Sequence, residues 1–299
     1  MKRRVFFKKS CGLFCLMALP GASLPSLVKP KVRFGLVADI HFAETETAGS
    51  RYYDQSKTKL IDAINIFNKN NLDFIIELGD FKDEGRPPER LETIDFLVDI
   101  ENTLNEFSGP VYHVLGNHDM DSISKEDFLK NIQNYGQQES KNYYSYINNG
   151  VKFIVLDANY NEDGSDYDSG NFDWTYSKIP YHQKNWLKNE LKQNDLPVIV
   201  FIHQLLDSFS DVPNRLCVAN ADEIVRILEN NNVLAVFQGH HHQGHYSYLN
   251  GIHFFTLKAM VEGSLPDNNS FAIIEIDNDM NIIIDGFYNC EDRILKSAK

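Results

Sequence analysis

The chain has 299 residues, 42% hydrophobic and 24% charged, with no internal repeat; this fits one large globular domain and excludes a disordered or fibrous protein. Its formal net charge is −13, and because residues 1–23 carry Lys2, Arg3, Arg4, Lys8 and Lys9 without an acid, the remainder stands at about −18. So acidic a chain repels polyanions, and no basic stripe with interleaved aromatics offsets this, which excludes nucleic acid as a partner.

In chain order, residues 1–23 read as an export signal. Lys2-Arg3-Arg4 is a basic start, residues 11–20 are a short apolar stretch, and Gly21, Ala22 and Ser23 are the small residues a signal peptidase requires. The apolar stretch is too short for a stable membrane anchor. Arg3-Arg4-Val5-Phe6-Phe7-Lys8 resembles a twin-arginine signal, with Lys2 where Ser or Thr is preferred, so the general secretory route stays open. Neither Cys11 nor Cys15 has the setting of a lipoprotein signal. The expected organisation is a signal at 1–23, a linker at 24–31 and a catalytic domain at 32–299, exported to the periplasm or beyond the cell. Cleavage leaves Cys217 and Cys290, either as a disulfide or as two isolated thiols.

Apolar runs predict strands over 32–38, 73–78 and 111–115, with helices over 57–68 and 87–107 between them. This alternation argues for parallel strands covered by helices. Hairpins are predicted at 143–156 around Asn149-Gly150, at 246–257 around Asn250-Gly251, and at 271–284. Helices over 181–192 and 222–230 and strands over 198–202 and 233–237 complete an α/β fold of two stacked sheets with helices outside. Residues 159–171, rich in Asp, Asn, Gly and Ser, read as a polar loop over the site.

Five clusters follow the predicted strands: Asp39-Ile40-His41, Gly79-Asp80, Gly116-Asn117-His118-Asp119, His203, and Gly239-His240-His241-His242. Ligands of α/β sheets gather beyond strand C-terminal ends, so loops can unite residues far apart in sequence. On extended backbone Asp39 and His41 share one side, as do His240 and His242. Oxygen and imidazole donors in such number suit two adjacent divalent metals, and that arrangement suits attack on phosphorus.

These clusters, with Asp83 three residues after Asp80, match the calcineurin-like metallophosphoesterase superfamily motif for motif over residues 32–255. The resemblance implies a two-sheet mixed sandwich flanked by helices, in four αββα layers. It implies that Asp39, His41 and His242 hold one metal, that Asn117, His203 and His240 hold the second, and that Asp80 bridges them. It further implies a bridging hydroxide as nucleophile, with His118 assisting the leaving group and Asp119 orienting His118. Asp83 stands where purple acid phosphatases carry a ligand tyrosine, so an iron-tyrosinate site is not expected. Mn, Fe or Zn all suit the donors.

A narrower resemblance, to the manganese-dependent ADP-ribose/CDP-alcohol diphosphatases, rests on several stretches. These are Arg51-Tyr52-Tyr53 with the following helix, Leu156-Asp157-Ala158, Gly170-Asn171-Phe172, Gln183-x-x-Trp186-Leu187 and residues 239–246. Members of that group can carry Gln where this chain has His41. The resemblance favours Mn and implies cleavage of nucleotide-linked pyrophosphates, with Arg51, Asn171, Phe172 and Tyr246 as candidate substrate contacts. A broad phosphomonoesterase or phosphodiesterase, or a non-catalytic metal-stabilised binding protein, are the alternatives. The expected partner is a small phosphate ester; the sequence is silent on oligomeric state.

Overall fold

The computed structural model describes residues 31–136 and 141–297. The export signal expected at 1–23, and all of the linker except Lys31, lie outside the described residues. The chain begins with three strands separated by helices: β1 (Val32–Val37), α1 (Ser56–Phe67), β2 (Phe74–Glu77), α2 (Arg90–Leu104) and β3 (Val111–His113), followed by α3 (Lys125–Asn131). A second run comprises β4 (Tyr144–Asn148), β5 (Val151–Val155), α4 (Tyr181–Lys192), β6 (Val198–Phe201), α5 (Ala221–Glu229), β7 (Val233–Gln238), β8 (His245–Leu249) and β9 (Ile252–Thr256). Strands β10 (Ser270–Ile276), β11 (Ile282–Tyr288) and β12 (Arg293–Leu295) return to the first sheet.

One sheet has the order β12-β11-β10-β1-β2-β3 and the other β4-β5-β6-β7-β9-β8. Strands β1, β2 and β3 run parallel, as do β5, β6, β7 and β9, so the C-terminal ends of these strands carry the site loops. β10, β4 and β8 pair antiparallel to their neighbours, making both sheets mixed.

Alternation within the apolar strands separates the layers. Phe34, Phe74, Phe153, Phe201 and Phe237 face the space between the sheets. Phe34 stacks on Phe74 at 4.9 Å and meets Phe153, Phe201 and Phe237 edge-on at 5.7–5.9 Å. Such a ring cluster is favourable beyond area burial, and truncating Phe34 to Ala costs about 3–5 kcal/mol. The alternate residues Val37 and Ile75 pack under Leu60, Phe67, Leu97 and Ile100 of α1 and α2. On the far side, Ile154, Val200 and Val236 pack under Leu187 of α4 and Ile224 and Leu228 of α5. Helix, sheet, sheet and helix thus form the four expected layers.

Three local outcomes differ from the sequence expectation. Helix α2 starts at Arg90 rather than at 87, because Pro87 and Pro88 occupy the approach to it. α3 was not foreseen: Ser124 accepts from Asp127 N at 2.9 Å and Asp127 returns the bond, a capping box that nucleates a short helix. Cys217 and Cys290 are free buried thiols in different apolar clusters, as the isolated reading required.

Candidate metal centre

The loops after β1 and β2 run side by side. Asp39 N donates to Gly79 O at 3.0 Å, His41 N to Asp80 O at 2.8 Å, and Val261 N to Asp39 O at 3.0 Å. Asp39, His41, Asp80 and His240 have φ of 52, 48, 55 and 66°, the left-handed region that side chains other than glycine seldom adopt. The extended, alternating backbone expected at Asp39/His41 and His240/His242 is therefore absent. Tight turns held by neighbouring loops converge these side chains, and the strain is concentrated where the ligands sit. Gly79 and Gly116 permit the closeness: Gly79 has φ +95°, and a Cβ on it would lie 2.5 Å from Gly116 N. One on Gly116 would collide with Asp80 N.

Two donor groups hold the expected ligands, and a third, of His41, Asp83 and His118, overlaps the first. Asp39, His41 and His242 offer atoms within 4.8 Å of one another, and so do Asp80, His203 and His240. His41 Nε2 and His242 Nε2 face each other at 3.2 Å, while Asp80 Oδ2 lies 3.5 Å from His41 Nε2 and 3.2 Å from His203 Nε2. Asp80 thus reaches both groups. Every imidazole but that of His240 has its other nitrogen engaged: His41 Nδ1 by Asp83 at 3.2 Å, His203 Nδ1 by Leu78 O at 2.8 Å, and His242 Nδ1 by Glu262 at 2.6 Å. Such outer contacts fix tautomer and ring orientation. Asp83 thus stands behind His41.

The donor set fits divalent cations. Asn117 Oδ1 and His240 Nε2 are buried without a hydrogen-bond partner. Orphaned polar atoms each cost about 1–3 kcal/mol, which coordination would offset. Burial lowers the His41 pKa to about 3 and holds His240 well below its usual value, so both are neutral, as ligands must be. Burial opposes ionisation of Asp80, but His203 and His118 outweigh it and keep the carboxylate charged.

His118 has a different environment. Burial disfavours its charge, yet Asp121 and Asp80 overcome this and raise its pKa to about 10. Its Nδ1 meets Asp121 Oδ2 at 2.6 Å, and Lys82 Nζ holds its carbonyl at 2.6 Å. The expectation that Asp119 orients His118 is corrected here. Asp119 is fully buried and accepts from Gly116 N at 2.8 Å, Phe81 N at 2.9 Å and Asp80 N at 3.1 Å, so its carboxylate binds two ligand loops together. Burial and the charge on Asp80 raise its pKa to about 6.

A cavity of about 600 Å³ opens over both donor groups; its walls include Arg51, Trp174, Arg215, His241, Gln243 and Glu262. Arg51 is where the sequence placed it. The other three substrate candidates are not. Asn171 Oδ1 accepts from Asp168 N at 2.8 Å in an exposed turn, and Phe172 stacks on Tyr167 at 4.1 Å. Tyr246 bonds His253 at 2.9 Å, under Arg293, and lines a separate cavity. The loop at 159–171 pairs with residues 120–124 rather than covering the donors. Sequence reasoning missed Asp121, Glu262, Trp174 and Arg215, none of which belongs to a cluster. It also missed Lys59, whose buried Nζ donates to Met260 O, Glu262 O and Gly263 O and anchors the loop behind His242.

A two-sheet sandwich presenting these donors at its strand ends defines a metal-dependent phosphoester hydrolase. The model of the calcineurin-like phosphoesterase family matches residues 32–244, and the chain belongs to that family. It is 25% identical over 305 residues to a manganese-dependent ADP-ribose/CDP-alcohol diphosphatase of Arabidopsis thaliana, covering 85% of this chain and 94% of the relative. A protein of the same name from Danio rerio is 23% identical over 298 residues, covering 81% and 91%. The crystal structure of a dimetal phosphatase from Danio rerio superposes with a TM-score of 0.77 at 21% identity, covering 90% of this chain and all of the other, which shows the shared fold.

Proposed function

We propose that the chain is an exported two-metal phosphohydrolase that cleaves the pyrophosphate of nucleoside-diphosphate-linked sugars or alcohols. The observation that carries this reading is the 600 Å³ cavity over the donor groups, walled by Arg51. It is far larger than one phosphate and is within the range of small-ligand sites. The similarity to the Arabidopsis and Danio diphosphatases supports the substrate class and favours Mn. Export is supported by the sequence of residues 1–23 alone.

Asp39, His41 and His242 would hold one cation, and Asn117, His203 and His240 the other, with Asp80 shared. When bound, the pair supplies Lewis-acid polarisation of a phosphoryl oxygen and lowers the pKa of water. Protonated His118 donates its Nε2 proton to the departing oxygen, and Asp121 holds the ring by Nδ1. Arg51, in the wall of the same cavity, would receive the second phosphate of the anhydride. The test is a panel of ADP-ribose, a CDP-alcohol and an aryl phosphate with Mn(II). Preference for the two diphosphates supports the reading, and preference for the aryl phosphate overturns it in favour of a monoesterase.

A further inference from the structure

The outer wall of the cavity carries a cation that the proposed cleavage does not use. Arg215, on the 3-10 turn Asn214–Leu216, is exposed and pairs with no carboxylate among the described residues. Its guanidinium carbon lies 5.8 Å from the ring of Trp174, which comes from a different loop and is itself 43% exposed. The indole's other contact is the ring of His240, 6.1 Å away in an edge arrangement. Trp174 thus touches both Arg215 and the candidate metal ligand His240.

We infer that Arg215 forms a second phosphate subsite, selecting substrates whose additional phosphate lies one sugar ring away from the phosphorus held at the metal centre. A sugar laid along Trp174 bridges the two positions, and a guanidinium recognises phosphate through paired N–H donors. Arg51 lies in a different part of the wall, beside Tyr53 and Glu262, so the two arginines serve different anions. The inference deepens the proposed function, because it places a phosphate ester at the donor groups.

Calorimetry on the full chain loaded with Mn(II) tests it, using adenosine 2′,5′-bisphosphate against adenosine 5′-monophosphate. The expected result is binding of the bisphosphate about 10-fold or more tighter, as a charge-assisted contact provides. Arg215→Gln should abolish that preference while leaving monophosphate affinity within about twofold, and Arg215→Lys should restore part of it. Equal affinities in the parent protein, or a preference that survives Arg215→Gln, would overturn the subsite. The measurement does not depend on turnover. A preserved preference without ADP-ribose hydrolysis would sink the diphosphatase reading alone; hydrolysis without the preference would sink the subsite alone.

Discussion

His118 Nδ1 lies 2.6 Å from Asp121 Oδ2, three residues further along the same turn, while Asp119 between them serves backbone amides. Carboxylate support of the proposed leaving-group acid and carboxylate support of the ligand loops are thus divided between two nearby residues. Asp121→Asn should retain both metals and lower kcat on a diphosphate about 10- to 100-fold, with a smaller effect on an activated aryl phosphate, whose leaving group needs no proton. Asp119→Asn should instead lose metal and thermal stability. Parallel kinetics and metal analysis decide; full activity of the Asp121 variant would refute the assignment.

Glu262 holds His242 Nδ1 at 2.6 Å, and His242 in turn lowers the Glu262 pKa to about 2. Removing the charge frees the imidazole to rotate. Glu262→Gln should weaken Mn(II) binding about 10- to 100-fold, with kcat at saturating metal little changed. A metal titration followed by turnover separates the two effects, and unchanged metal affinity would remove Glu262 from the account.

Metal removal should cost stability as well as activity. The candidate centre brings Asp39 and Asp80 together, and Asp80 opposes ionisation of Asp39. Ligand linkage at about 100 times Kd contributes about 2.7 kcal/mol per site. Chelation should therefore lower Tm by on the order of 5–10 °C and abolish turnover, and Mn(II) should restore both. An unchanged Tm would mean that the cluster does not bind metal in the folded protein.

A buried ion-pair relay lies behind the ligand loops. His113 in β3 places Nδ1 3.4 Å from Glu77 and Nε2 3.1 Å from Glu101, and Glu77 accepts from Gly79 N at 2.5 Å. Burial lifts the Glu77 pKa to about 8. Burial also disfavours the imidazolium, but Glu101, whose own pKa His113 holds down against burial, is the chief partner that raises the His113 pKa to about 10. Because the folded value exceeds the unfolded one, the stabilisation is complete below about pH 6.5 and is lost as pH rises through about 10. Tm of the chelated protein should fall from about pH 7 to about pH 10, and in His113→Gln the slope should become shallower without vanishing, because His118 titrates over the same range. A parent curve flat over this range would contradict a charged His113.

The parts of the fold written in local pattern were legible. The apolar runs at 32–38 and 73–78, alternating with helices, marked buried parallel strands, and Asn149-Gly150 and Asn250-Gly251 marked hairpins that the structure contains. Asp39, Asp80, Asn117, His203 and His240 were legible because each lies one to three residues beyond an apolar run. Asp121 was not, since in sequence Asp119 is the nearer carboxylate, and only the 3-10 turn places the acid at i+3 beside the ring. Glu262, Trp174 and Arg215 escaped for another reason: they lie in loops without periodic pattern, and tertiary contacts alone carry them to the cavity. Tyr246 misled because its strand adjoins the metal loop while its ring packs on His253.

The most direct test of the central claim is product analysis after ADP-ribose is incubated with the Mn(II)-loaded chain. The account predicts AMP and ribose 5-phosphate in equal amounts, with no inorganic phosphate, and loss of both products in His118→Ala with its metals retained. Release of inorganic phosphate from a terminal monoester, with ADP-ribose left intact, would contradict it.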